Sequence, residues 1–185
     1  MKLYFHLAWD GIRKNRRLYV PYLLTGVGAA ALFYILLALA NGPAAQMNGG
    51  DSLSLILRLG SFVLAIFSAL LLFYTNSFLI RRRNREFALY NVLGMGKRNI
   101  ARMLGMETVY TALIGIGGGI LAGLLLQKLV TLLLCRIMAF HGTGFSFYVS
   151  REGILATIAL FTLILLGNLL VNLIRVGRQS PMELM

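Results

Sequence analysis

The chain has few of the residues that a water-soluble protein displays on its surface. Only 13% of its 185 residues are charged, about half of the ~25% found in ordinary globular domains. Because 58% of the residues are hydrophobic, too little polar surface remains to cover an apolar core in water. Acidic residues are the scarcest, with 6 Asp and Glu against 18 Lys and Arg. This composition excludes an ordinary soluble domain and favours a protein whose solvent is lipid.

The residues that catalysis and metal binding require are also sparse. The single cysteine, Cys135, excludes an intramolecular disulfide and a zinc site built on cysteines. His6 and His141 fall on opposite sides of the membrane whose spans are predicted below, and no pair of carboxylates occurs within any of those spans. The glycine cluster at 115–119 lacks the Lys-Ser/Thr that follows a phosphate-binding loop. We therefore predict no catalytic residue, no cofactor site and no metal site, and a membrane enzyme is disfavoured.

Long uncharged segments dominate what the sequence does contain. Four of them reach the ~20 apolar residues that an α-helix needs to cross a ~30 Å hydrocarbon core. Such segments must be helical because lipid offers no partner for a backbone N–H or C=O group. We therefore predict an all-α integral membrane protein that forms a single transmembrane domain over residues 1–185. The four predicted transmembrane helices lie at about 18–40, 55–80, 103–134 and 153–174.

Basic residues indicate how these spans are oriented. Of the 18 Lys and Arg residues, 14 lie before the first span, between the second and third spans, or after the fourth. Cytoplasmic loops are enriched in Lys and Arg, so both termini and residues 81–107 are predicted to face the cytoplasm. The basic runs border apolar spans, an arrangement that suits anionic lipid headgroups rather than nucleic acid.

The segments outside the spans are short. Residues 1–17 repeat apolar side chains at helical spacing, which predicts an N-terminal interfacial helix that rests on the membrane. The two loops on the opposite side, at about 41–52 and 136–150, are too small to hold a folded domain.

The cytoplasmic segment 81–100 carries the most distinctive pattern. It begins with a run of arginines, of which Arg81–Arg83 are expected at the lipid headgroups. Apolar residues then recur at three- and four-residue spacing up to Gly94, a residue type that ends helices, and Lys97 begins the next helix. This pattern predicts a short cytoplasmic helix. Its apolar stripe either rests on lipid, which the spacing alone slightly favours, or binds a groove on a soluble partner.

Small and polar residues in the third and fourth spans predict helix packing. Gly115, Gly119 and Gly123 are four residues apart, so they share one helix face and allow a neighbouring helix to approach closely. Asn168 and Asn172 lie one turn apart and are predicted to hydrogen-bond across helices. A transport site at these two asparagines is the less favoured alternative.

Glu107 is an acidic residue beside the third span. A salt bridge to Arg102, or a position at the headgroups, accounts for its presence there. A proton-coupling role is the less favoured alternative.

The order of these features resembles the FtsX-like permease domain of bacterial ABC transporters. That family has an arginine-rich end of its second helix, a Glu-led apolar element closed by glycine, a basic helix start and a glycine-rich third helix. A basic N-terminal start and a Pro-x-Glu-Leu ending extend the resemblance over nearly the whole chain. The matching segments here are 81–85, 86–94, 97–100, 115–123 and 181–184.

The resemblance implies that residues 86–94 form the coupling helix that meets a cytoplasmic ATPase, which raises the partner interpretation above the lipid one. It also implies that ATP is hydrolysed in that separate subunit and not by this chain. The residues expected to contact the ATPase are Glu86, Phe87, Leu89, Tyr90, Leu93, Gly94 and Met95.

Within this family, the chain is similar to the N-terminal half of bacitracin and antimicrobial-peptide resistance (BceB-like) permeases. The similarity rests on Phe-Tyr-Thr-Asn-Ser-Phe-Leu-Ile at 73–80, on Tyr-Asn-Val-Leu-Gly-Met at 90–95, and on the short loop between the first two spans. Those permeases continue with further spans and a sensory outer domain. The chain is therefore expected to be an N-terminal fragment, a split half or a minimal relative.

We therefore expect a permease subunit that couples ATP hydrolysis in a partner to export, detoxification or mechanotransmission across the bacterial cytoplasmic membrane. The alternative is a small membrane adaptor or regulator that binds other membrane proteins without nucleotide-driven work. The expected partners are an ABC ATPase subunit, the remaining permease half or a second copy of the chain, membrane lipid, and a sensor histidine kinase. Nucleic acid is not an expected partner.

Overall fold

The computed structural model describes residues 15–42, 50–92, 96–137 and 149–178. These ranges form four α-helices and contain no strand. Each helix is long and apolar enough to cross a membrane, which confirms the prediction of an all-α membrane protein with four such helices. The helices are α1 (Arg16–Ala40), α2 (Gly50–Val92), α3 (Lys97–Ile137) and α4 (Arg151–Arg178).

Helices α2 and α3 extend well beyond the apolar runs that predicted them. α2 has 43 residues and α3 has 41, whereas ~20 residues are enough to cross the hydrocarbon core. α2 passes through Arg81–Arg83 without a break and ends at Val92, so residues 81–92 continue the second span. A separate short coupling helix is therefore not confirmed. α3 begins at Lys97, where the sequence places the start of the next helix.

Helix α1 is the central element of the bundle. It contacts each of the other three helices, most extensively α3 and then α2. The apolar 18-residue stretch of α1 is 44% buried, whereas the corresponding stretches of α2, α3 and α4 are 17%, 22% and 28% buried. The buried face of α1 runs from Tyr19 through Ala30 and Tyr34 to Leu39. The other helices are therefore held together largely through α1.

The remaining helices turn large apolar side chains away from the bundle. Phe62 and Tyr74 on α2 are 65% and 74% exposed, and Leu125 on α3 is 77% exposed. In water, contiguous apolar surface of this kind marks a contact region for a membrane or another protein. The arrangement is that of a bundle surrounded by lipid.

The bundle has two ends, which we name by the connections found there. The α2–α3 end holds the start of α1 together with the end of α2 and the start of α3. The α3–α4 end holds the end of α1 and the start of α4, where the Ser150 hydroxyl oxygen accepts the Gly153 N–H at 3.0 Å and caps the helix. Residues 1–14 of the predicted interfacial helix, most of the two short loops and the Pro-x-Glu-Leu ending lie outside the described residues.

Candidate functional site

A buried charge joins three helices at the α2–α3 end of the bundle. Arg83 on α2 lies 2.6 Å from Glu107 on α3, measured between Nη1 and Oε1, and it also donates to the hydroxyl of Tyr19 on α1. Arg83 is 1% exposed and Glu107 is 4% exposed. The guanidinium carbon lies 5.6 Å from the centre of the Tyr19 ring, close enough for a cation–π interaction. These three residues are called the polar tie below.

Two expectations for this region are wrong. Arg83 is buried in the bundle rather than held at the headgroups, and Glu107 pairs with Arg83 rather than with the exposed Arg102. The reason is that α2 continues as a helix past its apolar run. A position seven residues after Asn76 then returns to the same inward face, which places Arg83 toward α1 and α3.

Buried amides join α2 to α4. Asn76 donates to the Asn172 side-chain oxygen at 3.1 Å, and Asn172 donates back to the Asn76 oxygen at 3.3 Å. Asn168, one turn before Asn172, is 2% exposed. Neither its amide nitrogen nor its amide oxygen has a hydrogen-bond partner among the described residues. The structure thus pairs Asn172 with Asn76, which the sequence analysis did not single out, and Asn168 has no partner among the described residues.

The glycine face of α3 packs against α1 over part of its length. A Cβ atom built on Gly119 would lie 3.1 Å from the Val27 carbonyl oxygen, and one built on Gly123 would lie 2.8 Å from Cδ1 of Tyr34. Neither position has room for a side chain. Gly115 differs, because no described atom of a neighbouring helix comes within 4 Å of its Cβ position. Close approach therefore involves two of the three predicted glycines.

Hydrogen bonds also hold the helices together at the α3–α4 end. The Tyr34 hydroxyl donates to Oε1 of Gln127 at 3.1 Å inside the bundle. Nearer the surface, the Asn41 side chain accepts from Arg58 at 3.0 Å and donates to Glu152 at 3.3 Å. Helix α1 is therefore attached to α2, α3 and α4 here, just as the polar tie attaches it to α2 and α3 at the other end.

Comparison with protein families identifies the kind of bundle this is. A family model described as FtsX-like permease C-terminal matches residues 58–181, well over half of the chain. The chain belongs to the FtsX-like permease family. The resemblance carried by the segments at 81–100 and 115–123 is thereby confirmed.

Three curated relatives are similar to this FtsX-like permease over almost its full length. It is 27% identical over 180 residues to the bacitracin export permease protein BceB of Halalkalibacterium halodurans. It is 26% identical over 179 residues to BceB of Bacillus subtilis, and 26% identical over 181 residues to the uncharacterized ABC transporter permease YvcS of the same organism. These alignments cover 97%, 96% and 96% of this chain but 28% of each relative. The chain thus spans less than a third of the length of the curated relatives it matches.

The residues expected to contact an ATPase follow the polar-tie residue Arg83 in the sequence of this FtsX-like permease. The backbone of Glu86, Phe87, Leu89 and Tyr90 belongs to the last turns of α2. The structure does not describe the placement of these four side chains. It also does not describe the other expected contact residues, Leu93, Gly94 and Met95. Within the described ranges, no group of three or more His, Cys, Asp or Glu residues is placed to hold a metal ion.

Proposed function

We propose that this FtsX-like permease is the membrane-spanning unit of an ABC transporter of the antimicrobial-peptide resistance type. A separate ATPase subunit hydrolyses ATP, and this chain passes the resulting movement to export, detoxification or signalling across the bacterial cytoplasmic membrane. Both termini and residues 81–107 face the cytoplasm. The partners are the ATPase, the remaining permease half or a second copy of the chain, membrane lipid, and a sensor histidine kinase.

The observation that carries this proposal is the position of the polar tie relative to the connection between α2 and α3. Arg83 and Glu107 flank that connection and are bound to each other, and Arg83 also donates to the Tyr19 hydroxyl. α2 runs on as a continuous helix from Arg83 to Val92, roughly 13 Å at ~1.5 Å per residue. A force applied to the end of this extension therefore reaches a buried, hydrogen-bonded charge rather than a loose loop.

The remainder of the bundle offers a route for that movement toward the opposite membrane face. Gly119 and Gly123 bring the backbone of α3 against α1, which leaves little room for the two helices to move independently. Tyr34 and Gln127 then join the same two helices farther along by a buried hydrogen bond. α1 and α3 are accordingly expected to shift together, as a lever rather than as the walls of an open pore.

The experiment that tests this function is capture of the chain from native membranes, followed by mass spectrometry of the proteins bound to it. An ABC ATPase is expected among them. Scrambling residues 86–94 should remove the ATPase, whereas scrambling residues 43–49 in the short loop at the other end should not. Capture of other membrane proteins with no ATPase would instead identify a small adaptor or regulator and would refute the transporter proposal.

A further inference from the structure

A small, partly open cavity in the bundle is lined by Asn168, whose amide is unpaired among the described residues. Its volume is about 20 Å³. All four helices contribute to its wall, and each contributes at least one polar side chain: Tyr22 on α1, Asn76 on α2, Thr108 on α3 and Asn168 on α4. Polar side chains from all four helices therefore meet at this cavity, in a bundle whose outer surface is apolar.

Asn168 needs a partner that the described protein atoms do not provide. Its side chain carries N–H donors and a carbonyl acceptor, and both ends are buried and unpaired among the described residues. Leaving an amide unpaired away from water is unfavourable, and buried polar groups are normally satisfied by protein or by ordered water. A cavity holds one water molecule when its volume exceeds roughly 10–15 Å³, so the cavity beside Asn168 has enough room.

We propose that this cavity binds one ordered water molecule, which hydrogen-bonds to Asn168 and links α4 to α3. Water both donates and accepts, so it matches both ends of the amide. The Thr108 and Thr111 hydroxyls already donate to the carbonyls of Leu104 at 2.9 Å and of Thr108 at 3.0 Å. Their oxygens keep lone pairs that accept from the water. The water thus has polar partners on two helices, as internal waters usually do.

A metal cation fits the same cavity less well. A cation would satisfy the amide oxygen of Asn168 but would leave its N–H donors unpaired. The one carboxylate in the cavity wall belongs to Glu107, whose charge is already compensated by Arg83 at 2.6 Å. Among the residues that the structure describes, the cavity wall therefore offers no uncompensated negative charge to hold a cation.

Hydroxyl-radical footprinting of the intact chain in detergent tests this water site. X-rays generate radicals from water itself, so a buried side chain is oxidised when it lies next to a bound water. Tyr22, which lines the cavity, should be oxidised, whereas Tyr34, which is 0% exposed and lies outside the cavity wall, should not. Oxidation of Tyr22 no faster than that of Tyr34 would overturn the proposal. Because Tyr22 is 8% exposed, variants are needed to isolate the contribution of the bound water to its oxidation.

Variants of Asn168 and a change of salt complete the test. Asn168→Leu should lower Tyr22 oxidation to the level of Tyr34, whereas Asn168→Ser, which keeps a hydrogen-bonding group, should preserve it. Undiminished Tyr22 oxidation in folded Asn168→Leu would overturn the proposal. The unfolding temperature should be equal in NaCl, KCl and choline chloride of the same ionic strength. A rise specific to Na⁺ or K⁺, lost in Asn168→Leu, would show a cation site and overturn the assignment of water.

Discussion

Arg83 and Glu107, 24 residues apart in the sequence, form a buried ion pair that joins the two helices on either side of the predicted coupling segment. Tyr19 brings the central helix α1 into the same contact. In lipid or protein interiors, a charge is tolerated when a matched partner neutralises it. The pair therefore fixes how α1, α2 and α3 meet at this end of the bundle, and several measurements follow from that arrangement.

Removing one member of the ion pair should destabilise the bundle. Glu107→Ala leaves the Arg83 guanidinium buried without its carboxylate, and loss of one partner from a buried pair commonly costs about 3–5 kcal/mol. A lower thermal unfolding temperature in detergent is the expected result. Arg102→Ala, at an exposed position on the same helix, serves as the control and should have little effect. Equal unfolding temperatures for the two variants would show that the pair does not hold the helices together.

The close approach of α1 and α3 should make Gly119 intolerant of a side chain. Gly119→Leu forces the helices apart, and overpacking of this kind typically costs about 1–3 kcal/mol. Gly117 provides a matched control two residues away, because it is exposed and has no described atom within 4 Å of its Cβ position. Thermal unfolding in detergent should distinguish the two. A Gly117→Leu variant less stable than Gly119→Leu would place the packed face on the wrong side of α3.

The asparagine pair should behave as an energetically coupled unit. Asn172→Leu removes the partner that Asn76 both donates to and accepts from, and interhelical hydrogen bonds in membranes are worth about 0.6–2 kcal/mol. A double-mutant cycle with Asn76→Leu measures this coupling directly. The double variant should be more stable than the sum of the single losses predicts. Strict additivity would mean that the two amides contribute independently.

The proposed orientation makes opposite predictions for the two ends of the bundle. With Cys135 replaced by serine, a cysteine at Asp51 should react with an impermeant reagent added to intact cells. A cysteine at Lys97 should react only after the cells are permeabilised, because the Lys and Arg distribution assigns this end to the cytoplasm. Labelling of the Lys97 position in intact cells would reverse the topology.

The sequence predicts the four helices well because each depends on a local property, a run of uncharged residues as long as a membrane is thick. It does not predict the burial of Arg83, because that depends on a carboxylate and a hydroxyl supplied by two other helices. A charged run after an apolar segment is more often found at the headgroups, so the local pattern predicted that Arg83 lies at the membrane surface.

The individual contacts of the predicted packing residues also depend on neighbouring helices. Gly115 shares a helix face with Gly119 and Gly123, yet only the latter two meet α1 closely, since the spacing within α3 contains no information on where α1 passes. Asn76, the partner of Asn172, could have been identified from the sequence. Asn76 is an amide within the second apolar run, and a search for polar residues across the other spans would have suggested the pair.

Binding of an ATPase to the end of α2 and the residues after it is tested by the affinity of the purified ATPase for this chain in lipid nanodiscs. Tyr90→Ala with Leu93→Ala should weaken binding by roughly 30-fold or more, because loss of an interface hot spot often costs ~2 kcal/mol. Asp51→Ala, at the opposite end, should bind as the unaltered chain does. Full affinity in the Tyr90→Ala, Leu93→Ala variant, correctly inserted in the membrane, would contradict the coupling mechanism.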